Sequence, residues 1–304
     1  MMTLRSTALL LILAACDGGG DGTDTSDTGG GATTRTFEYF INTTDVYTGD
    51  TTCNGTDMGQ VDPAKQVMTS YNGEVHDFQS EDEVPEADIM FWLGDDITAA
   101  ADSTLKADTS GAFTTEVPTC TPVAYGTFTP ADWDQTVDTY EVHQVYGYEE
   151  DGVIDGEWIN SVSQTTSKLI PGIIGIEWDT TTGIIAGTAY DCFENPIGNA
   201  QVYIHDGSGN IPATGEIFYF TDGDNGLPTN HDIASDASVD NGLWVAVNIP
   251  VGTWTAEMWG FDGTDYVLLG STVLNIKAGS VNISNIYTGH DDGIAYPESC
   301  LLVQ

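Results

Sequence analysis

The sequence predicts an all-β protein: two tandem Greek-key β-sandwich domains behind a disordered tether. Three observations carry that expectation. Apolar residues alternate with polar or small ones over short runs, as Leu243, Val245 and Val247 do with Trp244, Ala246 and Asn248, the period of a strand with one buried face. Turn-forming residues recur, with 35 glycines in 304 residues and much threonine, which favours turns and strands over helices. And one pattern of strands and turns occurs twice along the chain.

Charge narrows the partners. Six Lys+Arg face 47 Asp+Glu, a formal net charge of −41. Such a chain repels phosphate, which excludes nucleic acid, and repels anionic headgroups. Hydrophobic residues make up 40% and aromatics 10%, enough for packed cores and unlike a disordered acidic tail. Extreme acidity suits saline surroundings, where salt screens self-repulsion.

In chain order, residues 1–15 read as a signal peptide: Arg5 gives the positive start, and the run from Ala8 to Ala15 gives an apolar stretch too short to span a bilayer. Leu13-Ala14-Ala15-Cys16 resembles the lipobox of bacterial lipoproteins, which implies cleavage before Cys16 and lipid on its thiol. The mature charge is then 5 − 47 = −42, and two or three acyl chains hold where one binds only marginally. Residues 16–36 carry no apolar residue larger than Ala after the cysteine, so they are expected to be a disordered tether reaching about 25 Å. Asp17 resembles the inner-membrane retention signal of enteric bacteria, a rule other lineages do not follow, so inner and outer membrane both stay open.

The first sandwich is expected over 37–155 and the second over 156–304, parted near the turn Glu149-Glu150-Asp151-Gly152. A short helix is expected over 161–170, stopped by Pro171-Gly172. The repeat reads Gly73 to Asp77, Val84-Pro85 to Ile89, and Ala107-Asp108-Thr109-Ser110-Gly111-Ala112-Phe113 to Pro118 in the first copy. In the second it reads Gly187 to Asp191, Asn195-Pro196 to Val202, and Asp240-Asn241-Gly242-Leu243-Trp244 to Pro250.

The motif Gly187…Asp191, Pro196-Ile197…Ala200-Gln201-Val202, Asn241-Gly242-Leu243-Trp244, Ile249-Pro250-Val251-Gly252-Thr253-Trp254 resembles the carboxypeptidase regulatory-like family. That resemblance implies a transthyretin-like sandwich of about seven strands. It covers 183–289 well and 70–126 more weakly. The first copy departs after Pro118, with Thr119-Cys120-Thr121-Pro122 where the family has Gly-Thr/Ser-Tyr.

Besides Cys16, four cysteines remain: Cys53, Cys120, Cys192 and Cys300. An even number in an exported chain predicts two disulfides. Three pairings are open; Cys53–Cys120 with Cys192–Cys300 keeps each bridge inside one expected domain and is favoured. No CxxC or neighbouring histidine suggests a zinc site instead.

No catalytic constellation stands out. The five histidines form no HExxH pair and no Gly-x-Ser-x-Gly elbow exists. Calcium is a candidate at the acidic turn holding Asp222, Asp224 and Asn225, with a second acidic loop at Asp151, Asp155 and Glu157. Sugar stacking is a candidate at Trp244 and Trp259, expected on a solvent-leaning face. Lys–Asn bridges, which related adhesin sandwiches carry, need a Lys on a domain's first strand, and Lys65, Lys106, Lys168 and Lys277 do not meet that need in the second copy. The leading expectation is a lipid-anchored, non-enzymatic extracytoplasmic protein with no cofactor, partnered by the membrane and by envelope protein or polysaccharide. A carbohydrate- or calcium-dependent adhesin is the alternative, and an enzyme with an unfamiliar acidic site is the third.

Overall fold

Short alternating runs become strands, and their pairing repeats. The computed structural model describes residues 45–56, 59–78, 80–128, 136–220, 227–229 and 241–302. The signal and tether, 1–36, lie outside them. The first half forms β1 (Met68–Asp77), β2 (Asp88–Leu93), β3 (Ser103–Lys106), β4 (Ala112–Pro118), β5 (Pro122–Phe128), β6 (Thr136–Val145) and β7 (Val153–Ser163). After helix α1 (Gln164–Ile173), the second half forms β8 (Gly183–Tyr190), β9 (Gln201–His205), β10 (Glu216–Phe220), β11 (Pro228–Thr229), β12 (Leu243–Ile249), β13 (Gly252–Phe261), β14 (Tyr266–Ile276), β15 (Ser280–Ile283) and β16 (Ile286–Tyr287). Position 155, where two domains were expected to part, lies inside β7.

Each half is a β-sandwich, and the two are built alike. In the first, β1 pairs antiparallel with β4 and parallel with β7, while β5 pairs with β2 and β6. In the second, β8 pairs antiparallel with β12 and parallel with β15, while β13 pairs with β9 and β14. The halves then join edge to edge. Parallel pairing of β15 with β6 makes one long sheet in the order β11-β10-β12-β8-β15-β6-β5-β2-β3. The β4-β1-β7 sheet, joined to it where the end of β7 pairs with the start of β6, packs on one face of it, around Tyr71, Ile89, Phe91, Val117 and Ile159. The β14-β13-β9 sheet packs on the opposite face, around Ile185, Trp244, Ala246, Met258 and Leu269.

The repeat extends to matching single hydrogen bonds. Val75 N–H donates to the Gly111 carbonyl and Ala189 N–H to the Gly242 carbonyl; Val84 N–H donates to Val75 and Ile197 N–H to Ala189. Glu81 and Glu194 both take φ of 59°, and Glu86 and Asn199 take 59° and 56°, so matching loops use matching left-handed residues. Gly73 faces Phe113 and Gly187 faces Trp244 across the paired strands. A Cβ at Gly73 would stand 2.7 Å from Phe113 Cζ, and one at Gly187 3.2 Å from Trp244 Cζ2. At Gly73 glycine makes room for a core aromatic, whereas at Gly187 a Cβ would meet the backbone carbonyl of Ser284, just after β15, before it met Trp244.

Two expectations need correction. The helix starts at Gln164, not 161, because Ser163 closes β7 and caps α1, its Oγ accepting from Thr166 N–H at 3.0 Å. It then runs through Pro171 to Ile173. Proline lacks the N–H for the preceding turn, but Ile170, Ile174, Ile176 and Trp178 pack on the outer face of the second sandwich, and that packing carries the chain past it.

The disulfide pairing is the second correction. The bridges are Cys53–Cys192 and Cys120–Cys300, so each crosses between the halves. The reason is where the two end segments lie. The segment before the first sandwich runs along the second: Tyr47 N–H donates to Phe261, Thr48 N–H to Gly198, and Cys192 N–H to Asp50. The segment after the second sandwich reaches the first: Tyr148 N–H donates to Ser299 Oγ at 3.1 Å, and residues 60–65, just before β1, bond it through Asp62 N–H to Cys300, Leu302 N–H to Gln60 and Lys65 Nζ to Leu301 at 2.9 Å.

Candidate functional site

On a sandwich, residues that alternate with the core face outward, so a binding face must be read strand by strand. The outer face of β4-β1-β7 carries a polar ladder. Thr114 Oγ1 donates to Asn72 Oδ1 at 2.8 Å, and Asn72 Nδ2 donates to Asp155 Oδ1 at 2.6 Å. One step along, Glu74 lies opposite Trp158, and its Oε2 sits 3.1 Å from His76 Nε2. The His76 imidazole stacks on the Trp158 indole, centroids 4.0 Å apart at 15°. Trp158 is 53% exposed. An exposed ring beside amide, hydroxyl and carboxylate groups offers an apolar platform rimmed with donors and acceptors.

The sequence-predicted site residues fall elsewhere. Trp244 is 1% exposed and sits in the core of the second sandwich, which corrects its expected solvent-facing place. The alternation in β12 is real, but both faces are covered: Trp244 and Ala246 face the β14-β13-β9 sheet, and Val245 and Val247 face α1. Trp259 is half-buried in β13, in a different sheet from Trp244, with its Nε1 donating to Glu257 Oε2 at 2.9 Å. The two rings form no shared patch. Trp158 was missed, although the sequence held its signal: it is out of phase with Ile159, which points into the core.

Cys16 lies outside the described residues, and so does the acidic turn with Asp222, Asp224 and Asn225. In the second acidic loop, Asp151 Oδ1 accepts from Val153 N–H and Asp155 bonds Asn72, so these carboxylates serve the turn and the ladder. Among the described residues no group of three His, Cys, Asp or Glu could hold a metal ion.

Three of the histidines are engaged structurally. His76, His143 and His205 each place one ring nitrogen on a carboxylate, Glu74, Asp95 and Glu257. Each places the other on a backbone carbonyl, of Glu81, Val273 and Asp206. Burial opposes charge on His143, but the hydrogen bond and charge of Asp95 outweigh it and hold the imidazole above its ordinary value. Asp191 shows the reverse balance. Burial would raise it, yet N–H groups of Asp50, Phe193 and Asn195 hold its carboxyl below the usual range.

No protein-family model matches the chain, and no curated protein sequence does. Among solved structures, the Bacillus anthracis TIE protein is 12% identical at a TM-score of 0.25, over 73% of this chain and 34% of that one, so this chain spans about a third of its length. The shaft pilin SpaA from Lactobacillus rhamnosus GG is 13% identical at 0.23, over 75% of this chain and all of that one. BcpA, the major pilin subunit of Bacillus cereus, is 10% identical at 0.22, over 73% and 100%.

Proposed function

We propose that the chain is a non-enzymatic extracytoplasmic module, anchored by lipid on Cys16, whose two laced sandwiches serve a structural or interaction role at the cell envelope. The supporting observation is the lacing itself. Both bridges join one half to the other, over separations of 139 and 180 residues, and such bridges persist only where thiols are kept oxidised. The lipobox-like Leu13-Ala14-Ala15-Cys16 supplies the anchor in this reading, and the carboxypeptidase regulatory-like motif supplies a precedent for a sandwich without its own chemistry. Metabolic labelling with a radioactive fatty acid tests the anchor. Label on the wild type and none on Cys16→Ser supports it; label on both defeats it.

A second reading has its own observation, the exposed Trp158 beside Asn72, Glu74 and Asp155. In it the protein binds envelope polysaccharide, with a sugar ring stacked on the indole. A glycan array read with wild type and Trp158→Ala decides: loss of a specific signal supports it, and a blank array sets it aside. Calcium at Asp222, Asp224 and Asn225 remains a proposal, tested by titration calorimetry with millimolar calcium, where absence of binding heat removes it.

A further inference from the structure

The outer face of the second sandwich is not filled by the helix that covers it. Between α1 and strands β8, β12 and β15 lies a cavity of about 280 Å³. Its walls are apolar over most of their extent, with Ile170 from the helix and Ile184, Val281 and Phe220 from the strands. The rest of the lining is polar: Glu141, 6% exposed, and Asn160, with Thr166 and Ser167 of the helix and Thr188 and Asn285.

Glu141 is arranged as an acid with a spare oxygen. Its Oε2 accepts from Tyr125 Oη and from Asn160 Nδ2, the latter at 2.8 Å. Tyr125 Oη in turn accepts from Asn160 N–H at 3.0 Å. Both donors converge on Oε2, so a proton on this carboxyl would sit on Oε1. Burial pushes Glu141 above the usual carboxylate range, while Tyr125 and Asn160 pull it back only in part. Among the described residues that line the cavity none is cationic, and the chain carries a net −41.

We propose that this cavity is a ligand site for an uncharged, mostly apolar molecule whose single oxygen accepts a hydrogen bond from Glu141. An apolar cavity of roughly 150 Å³ takes benzene, so this one takes about a dozen heavy atoms. A small aryl or alkyl ketone, aldehyde or ester has that size and chemistry. An anion meets an acid and a negative chain; a cation would need Glu141 ionised in a dry wall.

Four probes of one shape test this by calorimetry on the purified full chain: 2-acetylnaphthalene, 2-ethylnaphthalene, 2-naphthoate and 2-naphthylmethylammonium. The ketone is expected to bind one-to-one, the hydrocarbon about tenfold more weakly, and the two ions more weakly still. Ala186→Phe, which fills the cavity, is expected to weaken the ketone at least tenfold; Glu141→Gln, still neutral and still a donor, is expected to keep it within threefold. Nuclear Overhauser contacts from the bound ketone to the Ile184 and Val281 methyls locate it in wild type whether or not a variant folds. No saturable ketone binding, tightest binding of the ammonium, or contacts to other methyls would each overturn the proposal.

Discussion

The two sandwiches share a plan and differ in what they do with one face. Phe113 and Trp244 occupy the same place under the matching glycines Gly73 and Gly187. The next outward positions diverge. In β4 they are Thr114 and Glu116, exposed; in β12 they are Val245 and Val247, buried beneath α1. So the first sandwich turns a polar ladder and Trp158 to solvent, and the second turns an apolar sheet face to a helix. The lesson is that the core is set by one half of the strand alternation and can stay constant, while the other half decides whether a face binds water or covers itself.

That comparison can be broken at several strengths. The crossing bridges should matter most. Chain-entropy reasoning for loops of 139 and 180 residues gives roughly 4–5 kcal/mol each. Urea unfolding of Cys53→Ser/Cys192→Ser and of Cys120→Ser/Cys300→Ser should show losses of similar size, since each releases one end segment. Next come the paired core aromatics. Phe113→Ala and Trp244→Ala should each cost about 3–5 kcal/mol; a loss at only one of them would mean the halves are not packed alike.

Smaller effects test the turns. Asp77 and Asp191 end matching strands, and both are buried. Asp77 accepts from Ser80 and Ser163 N–H groups, and Asp191 from Asp50, Phe193 and Asn195. Replacing either with Ala orphans those donors, at about 1–3 kcal/mol by thermal or urea unfolding.

The pH dependence follows from two signs. Because folding raises His143, its contribution is complete below the unfolded value near 6.5 and is lost as pH rises through the folded value. Because folding lowers Asp191, its contribution is present above the unfolded carboxylate value and is lost as pH falls through the folded one. Urea midpoints should therefore drop on both flanks, and His143→Gln should flatten the alkaline flank alone. Smallest of all, Trp158→Ala should move stability by no more than about 0.5 kcal/mol; a larger change would show that the ring supports the fold.

The repeat made much of this fold legible. The spacing of Asp, Pro and Gly in both copies marked the matching strands and turns, because only certain residues tolerate those backbone angles. The same alignment set Trp244 against Phe113, a core position, yet alternation within β12 alone suggested an exposed ring. Period two shows that a strand has two faces and is silent on what covers the second. The bridges were illegible for a different reason: residues 45–56 cross to the far sandwich, and the hydrogen bonds that hold them there, such as Asp50 N–H to Asp191 Oδ2 at 3.0 Å, join residues remote in sequence. Trp158 was legible only once Ile159 was placed inside.

The lacing of each end segment across the opposite sandwich is the center of this account, and disulfide mapping reads it directly. With six Lys+Arg in the chain, cleavage at acidic residues is the practical route, under non-reducing conditions and followed by mass spectrometry. Linked peptides joining Cys53 to Cys192 and Cys120 to Cys300 are the expected result. Peptides joining Cys53 to Cys120 and Cys192 to Cys300 would contradict it.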